Sequence, residues 1–258
     1  MSAPEVLLRN VGKRFSGSAV PVLEGIELSV ERGEFVSIIG PSGCGKSTLL
    51  KLVAGLMPCS SGEISVNGMK PAEARTLVSF VFQDATLLPW RTVEKNVALA
   101  LELEGKPREE NEKTTAMLLE LVGLSHVAKH YPRQLSGGMK MRTSIARALA
   151  TRPRLLLMDE PFAALDEMTR DRMNEELLRL REEQNWTVMF VTHSVAEAVF
   201  LASRVIVLAP PLDSRPGRIA HVVDVELAYP RTEATRESEA YDELVNRTSR
   251  LLREAHRL

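Results

Sequence analysis

Gly40-Pro41-Ser42-Gly43-Cys44-Gly45-Lys46-Ser47-Thr48 is the stretch on which the reading of this chain turns. It fits G-x-x-x-x-G-K-[ST], and each part has a physical job. Glycines let the backbone curl so that several N–H groups point inward at one phosphate. A helix beginning near Ser47 aims the positive end of its dipole at the same place. Lys46 supplies a full positive charge for the β- and γ-phosphates, and the Ser47 hydroxyl is placed to ligate Mg²⁺. Cys44 stands where side-chain identity is free and reads as a small spacer. A side expectation is that alkylating its thiol blocks nucleotide.

The flanks supply the context that this motif requires. Before it, Glu34-Phe35-Val36-Ser37-Ile38-Ile39 is a short apolar run of the kind that forms a buried strand. After it, Leu49, Leu50, Leu52 and Val53 read as helix. Upstream, Val6–Val11 and Ile26–Val30 read as strands, with Gly12, Gly17 and Gly25 as punctuation. Downstream, Glu63–Val66 and Leu77–Phe82 are strand-like. From Val93 to Ala150, Ala, Leu, Glu and Lys dominate, which predicts a mostly helical insert. Strand texture returns at Leu155–Met158, Trp186–Val191 and Arg204–Leu208. Between these lie a helix over Glu167–Gln184, with Met168, Met173, Leu177 and Leu180 at helical spacing, and another over Val195–Ala202. Strands alternating with helices predict a parallel sheet covered on both faces. From about Pro230 the chain is charged, with a helix expected near Tyr241–His256.

Three further groups carry chemistry. Leu155-Leu156-Leu157-Met158 ends in Asp159 and Glu160, and acids at the end of an apolar strand mark a site at the carboxyl edge of a sheet. Asp159 is expected to hold Mg²⁺, directly or through water, and Glu160 to polarise an attacking water. His193 ends the next strand, within reach of the same water or of the γ-phosphate. Leu135-Ser136-Gly137-Gly138-Met139 opens a helix, Lys140–Ala150, and makes a second anion site of open N–H groups, a hydroxyl and a positive dipole end. One nucleotide has one γ-phosphate, already held from one side. A second phosphate site in the same chain therefore implies two chains facing each other, each capping the other's ATP.

Bulk properties narrow the setting. The 258 residues are 44% hydrophobic and 26% charged, an ordinary globular balance. Net charge is -1, so there is no global pull toward nucleic acid or an acidic membrane surface. Two cysteines, Cys44 and Cys59, are too few for a disulfide framework and fit a reduced compartment. The start, MSAPEVLLRN, has no signal-peptide pattern, and no apolar run reaches the roughly 18 residues of a membrane span. The expectation is a cytoplasmic chain that serves a membrane only by docking to something within it. His126 and His130 stand four apart, but Gly123 ends the helix before them and no third ligand is evident, so both read as solvated.

With these groups in order, the chain resembles the ATP-binding subunits of ABC transporters over nearly its whole length. Gly40–Thr48 looks like the Walker A loop, Gln83 matches the Q-loop glutamine, and Leu135–Met139 matches the signature motif. Leu155–Pro161 looks like Walker B with Glu160 as catalytic glutamate, Ala164-Leu165-Asp166 matches the D-loop, and His193 matches the switch histidine. Phe15 is similar to the aromatic that stacks on adenine. The resemblance implies an α/β fold of the P-loop NTPase class: a RecA-like core with a parallel sheet, an N-terminal antiparallel β region and an inserted helical subdomain. It implies an ATPase domain over 1–230 with the insert at about 88–150, and a charged helical segment over 231–258. It also implies catalysis by Glu160, His193 and Gln83, nucleotide contacts from Phe15, Gly40–Thr48, Ser136, Gly137, Gly138 and Asp166, and Mg²⁺ at Ser47, Gln83 and Asp159. Partners implied are a second copy, head-to-tail in the presence of ATP, transmembrane permease subunits, and indirectly a periplasmic or surface solute-binding protein. The chain would sit on the cytoplasmic face of the membrane.

Leu87-Leu88-Pro89-Trp90-Arg91-Thr92-Val93, Met139 in place of the commoner glutamine, His193–Val199 and Arg215–Ile219 look like the importers of nitrate, sulfonate and taurine. Met141 departs from the glutamine the resemblance leads one to expect, and is read as altering surface packing there. Two rivals have less support. A soluble ABC ATPase acting on DNA or ribosomes commonly has two cassettes or a long coiled-coil insertion, and neither is present. A P-loop kinase would leave Leu135–Met139, Gln83 and His193 without a job.

Overall fold

The computed structural model describes residues 3–18, 20–211 and 216–256. The chain runs β1 (Val6–Lys13), β2 (Leu23–Val30), β3 (Phe35–Ile39), α1 (Lys46–Val53), β4 (Ser61–Val66) and β5 (Val78–Val81). The helical insert follows as α2 (Val93–Leu103), α3 (Arg108–Leu121) and α4 (Gly137–Leu149). Then come β6 (Leu155–Asp159), α5 (Glu167–Gln184), β7 (Thr187–Val191), α6 (Val195–Leu201), β8 (Arg204–Ala209), β9 (Arg218–Asp224), α7 (Glu233–Arg236) and α8 (Glu239–Ala255).

Two sheets result. The first is antiparallel, ordered β2-β1-β4; the second has six strands, ordered β5-β6-β7-β3-β8-β9. Its first five strands are parallel, and β9 returns antiparallel against β8. The apolar runs are apolar on both faces because both faces are covered. In β3, Phe35 and Ile39 enter the core that holds α4, α5 and α6, while Val36 and Ile38 enter the core beneath α1 and the antiparallel sheet. Leu156 and Met158 against Leu155 and Leu157 divide β6 in the same way.

The strand register places the site. Ile38 lies beside Val191, and Val191 beside Asp159. Strands β3, β7 and β6 therefore end level with one another, and the residues that follow each of them emerge at one carboxyl edge. Nothing in the residues themselves specifies that β3 lies between β7 and β8; crossover packing decides it.

Two features differ from the sequence reading. Strand β9 was not foreseen: Arg218–Asp224 is a short edge strand of mixed polarity. Part of the Arg215–Ile219 segment, including Arg215, lies outside the described residues. Met141 is not a surface residue. It is buried with Ile145 and Leu149, at i, i+4 and i+8 on the inward face of α4.

The charged C-terminal stretch lies against α6, with the Tyr241 hydroxyl donating to the Ala196 carbonyl at 2.9 Å. Arg231, 2% exposed, donates through Nη1 to the carbonyls of Val199, Phe200 and Ala202 at 2.9–3.0 Å, at the negative end of α6. Its Nη2 donates to the Leu227 carbonyl at 3.0 Å, and its guanidinium lies 4.1 Å from the Tyr229 ring centroid. Burial lowers the Arg231 pKa, so this charge is held by those carbonyls and the ring. Arg231→Met leaves buried carbonyls unpaired and is expected to cost about 3 kcal/mol of stability. Chemical denaturation checks this, and a loss below about 1 kcal/mol would contradict it.

Candidate active site

The phosphate loop joins β3 to α1. Gly45 caps α1 in the left-handed region at φ 99°, and a Cβ there would meet the Leu23 side chain at 2.7 Å. Only glycine meets both conditions. The Lys46 ammonium, nearly buried, donates to the carbonyls of Gly40 (2.9 Å) and Pro41 (3.1 Å), which holds it inside the curl of the loop. Gly217 closes the loop from behind: a Cβ there would lie 2.3 Å from the Val22 carbonyl and 2.9 Å from that of Cys44.

Ser47 Oγ donates to Asp159 Oδ1 at 2.8 Å, across 112 residues of chain. Burial raises the Asp159 pKa; the Ser47 hydroxyl opposes this, and the Glu160 carboxylate adds to it. A buried carboxyl beside a hydroxyl suits a hard cation that takes oxygen ligands. Among the described residues no three His, Cys, Asp or Glu side chains gather into a cage.

Glu160 follows at φ 47°, in the left-handed region where a non-glycine residue is uncommon. Its N–H donates to the Val191 carbonyl at 2.9 Å, tying the end of β6 to that of β7. Its Oε2 lies 3.4 Å from His193 Nδ1. The two side chains that the sequence separates by 33 positions thus face each other, beside the Ser47–Asp159 pair.

Phe15 stands two residues beyond Lys13, which pairs with Leu23 next to the loop. Its ring is 42% exposed, with Lys13 Nζ 5.4 Å from the centroid. Gln83 is exposed two residues past β5, at the same sheet edge, and makes no hydrogen bond among the described residues. Asp166 caps α5, accepting from Thr169 N–H at 3.0 Å, and that bond holds its carboxyl below the usual range. Met168, two residues on, is 84% exposed.

Ser136 and Gly137 lie exposed at the start of α4, where Ser136 Oγ accepts from Met139 N–H at 3.3 Å. No hydrogen bond among the described residues joins Ser136–Gly138 to the loop at 40–48. His126 and His130 are exposed beyond α3, with Gly123 at φ 66° ending it.

Cys44 is fully buried, and burial pushes its thiol up. A buried, protonated thiol is a poor nucleophile. Maleimide is therefore expected to label one cysteine in the folded chain, Cys59, and the second only on unfolding, as read by mass spectrometry. This removes the ready alkylation route to blocking nucleotide; rapid native labelling of Cys44 would restore it.

A strand–loop–helix phosphate cradle, with acids at the end of a parallel strand one place removed in the same sheet, defines a P-loop nucleoside triphosphatase. The ABC transporter family matches residues 23–163. An uncharacterised ABC transporter ATP-binding protein of Methanocaldococcus jannaschii is 46% identical over 217 residues, covering 84% of this chain and 80% of that one. The aliphatic sulfonates import ATP-binding protein SsuB of Bacillus cereus is 42% identical over 241 residues, covering 93% and 92%. The bicarbonate transport ATP-binding protein CmpC of Synechococcus elongatus is 44% identical over 232 residues, covering 88% of this chain and 34% of that longer protein. A dimeric ATP-binding cassette in a post-hydrolysis state, bound to ADP and Pi, superposes with a TM-score of 0.77 at 33% identity, covering 86% of this chain and all of that one. The chain belongs to the ABC transporter family. It is an ATP-binding, ATP-hydrolysing subunit of a transporter, working with Mg²⁺.

Proposed function

We propose that this subunit drives an importer of a small solute, such as nitrate, a sulfonate or taurine, from the cytoplasmic face of the membrane. Two copies close head-to-tail over two ATP molecules. The observation that carries the two-copy reading is the helix start exposed at Ser136 and Gly137, with no hydrogen bond among the described residues to the phosphate loop of its own chain. The solute class is supported by the names of the sulfonate and bicarbonate transport relatives. Among the described residues no helix is long and apolar enough to cross a membrane. Translocation is assigned to permease subunits on the strength of the transporter family. A solute-binding protein outside the membrane would deliver the cargo.

In this reading the phosphate loop, Gly40–Thr48, and Lys46 hold the β- and γ-phosphates. Ser47 and Asp159 hold Mg²⁺, joined by Gln83, and the ion neutralises charge on the phosphate oxygens. Glu160 orients the attacking water and His193 contacts the γ-phosphate. Phe15 stacks on the base. Ser136, Gly137 and Gly138 cap the γ-phosphate of the opposite copy, and Asp166 lies at the interface. Residues 1–230 form the ATPase domain, with the insert at about 88–150.

Each ATP is then glue between two chains, and cleavage of the γ-phosphate releases them. Removing the chain from its host is expected to abolish uptake of one solute in a radiolabelled panel of nitrate, alkanesulfonates, taurine and bicarbonate. Unchanged uptake of all four, with retained ATPase activity of the chain, would overturn the solute class.

A further inference from the structure

Glu197 is 5% exposed, on the first turn of α6, and the chemistry above gives it no task. It closes a small polar ring. The Thr192 hydroxyl donates to Glu197 Oε2. The Ser194 N–H donates to Thr192 Oγ1 at 3.0 Å, and the Glu197 N–H donates to Ser194 Oγ at 3.3 Å. In an ordinary capping box the glutamate would reach back to the backbone N–H of the cap residue. Here the reach is relayed through Thr192, so the ring encloses both neighbours of His193.

The other side of the ring faces the Asp166 turn. Glu160, Ala163, Arg170, His193 and Glu197 border one narrow interstice. Arg170 Nη2 donates to the Leu165 carbonyl at 2.9 Å. Burial raises the Glu197 pKa, opposed first by the Thr192 hydroxyl and then by the charge of Arg170 across the interstice. Arg170 thus stands between the buried carboxyl and the turn that precedes Asp166.

We propose that Glu197 is a positioning residue for His193, and that Arg170 links the His193 turn to the Leu165–Asp166 turn so that the two move together on either side of Glu160. This rests on the assignment of His193 to the γ-phosphate. Burying a carboxyl is costly, and this one is bonded from the residue before His193 while Arg170, on α5, borders the same interstice from the Leu165–Asp166 side. A misplacement of about 1 Å in a catalytic group can cost on the order of 100-fold in rate.

The test is a mutant cycle on the full chain, read by single-turnover phosphate release at saturating ATP, with ATP affinity and Tm measured alongside. Glu197→Ala is expected to slow release by roughly 10- to 100-fold while ATP affinity stays within about threefold. Added to His193→Ala, it is expected to slow release no further, because the histidine it positions is gone. Thr192→Val, which removes only the hydroxyl, is expected to reproduce part of the loss, and carries the same comparison if Glu197→Ala fails to fold. A loss that multiplies fully onto His193→Ala would overturn the positioning role and leave His193 in place. An undiminished rate in His193→Ala alone would overturn the assignment of His193, and this proposal with it.

Discussion

Glu160→Gln is expected to lower ATP turnover by at least about 100-fold while leaving ATP affinity nearly unchanged. The amide keeps the size and one acceptor oxygen of the carboxylate but cannot take a proton from water. Glu160 is held at φ 47° by the N–H bond to Val191, beside His193 and next to the Ser47–Asp159 pair. Its backbone position does not depend on its charge, so the substitution removes chemistry and keeps the site. Steady-state phosphate release and nucleotide titration check this together. Near wild-type turnover would remove Glu160 from the role of base.

Lys46→Ala is expected to act at the other stage, weakening ATP binding itself. A charge-assisted hydrogen bond contributes about 1.5–3 kcal/mol, which is roughly 10- to 100-fold in affinity. Lys46 spans the curl of the loop, bonded to the carbonyls of Gly40 and Pro41, and exchange of those bonds for phosphate oxygens costs little reorganisation. Isothermal titration with Mg-ATP reads the change. Unaltered affinity with a normal Tm would place the phosphates elsewhere.

Both expectations rest on residues whose chemistry the sequence itself displays. The loop, the acids after Leu155–Met158 and His193 each follow a short apolar run, and a run that is apolar on both faces marks a central parallel strand. What brings them together was not legible. The level ends of β3, β7 and β6 depend on strand order, and strand order depends on how α1, α5 and α6 cover the sheet. Strand β9 escaped notice because an edge strand buries little and needs no apolar run. Met141 was misjudged by its difference from a pattern, although Ile145 and Leu149 mark the inward face on which it lies.

Arg231 and Glu197 are a different matter. A charged residue in a charged stretch looks solvated, and only the carbonyls at the end of α6 show why Arg231 is buried. For Glu197 one signal was present: Ser194-x-x-Glu197 has the spacing of a capping box at the start of a helix. What spacing could not give was the relay through Thr192 and the approach of Arg170, which depend on two loops meeting beside Glu160.

If two copies share each ATP, size-exclusion chromatography of Glu160→Gln with Mg-free ATP will show it. The predicted result is a shift from monomer to dimer on adding ATP that vanishes when Ser136→Arg is added, with nucleotide affinity of the monomer preserved. A Glu160→Gln chain that binds ATP yet stays monomeric, even beside its membrane subunits, would contradict it.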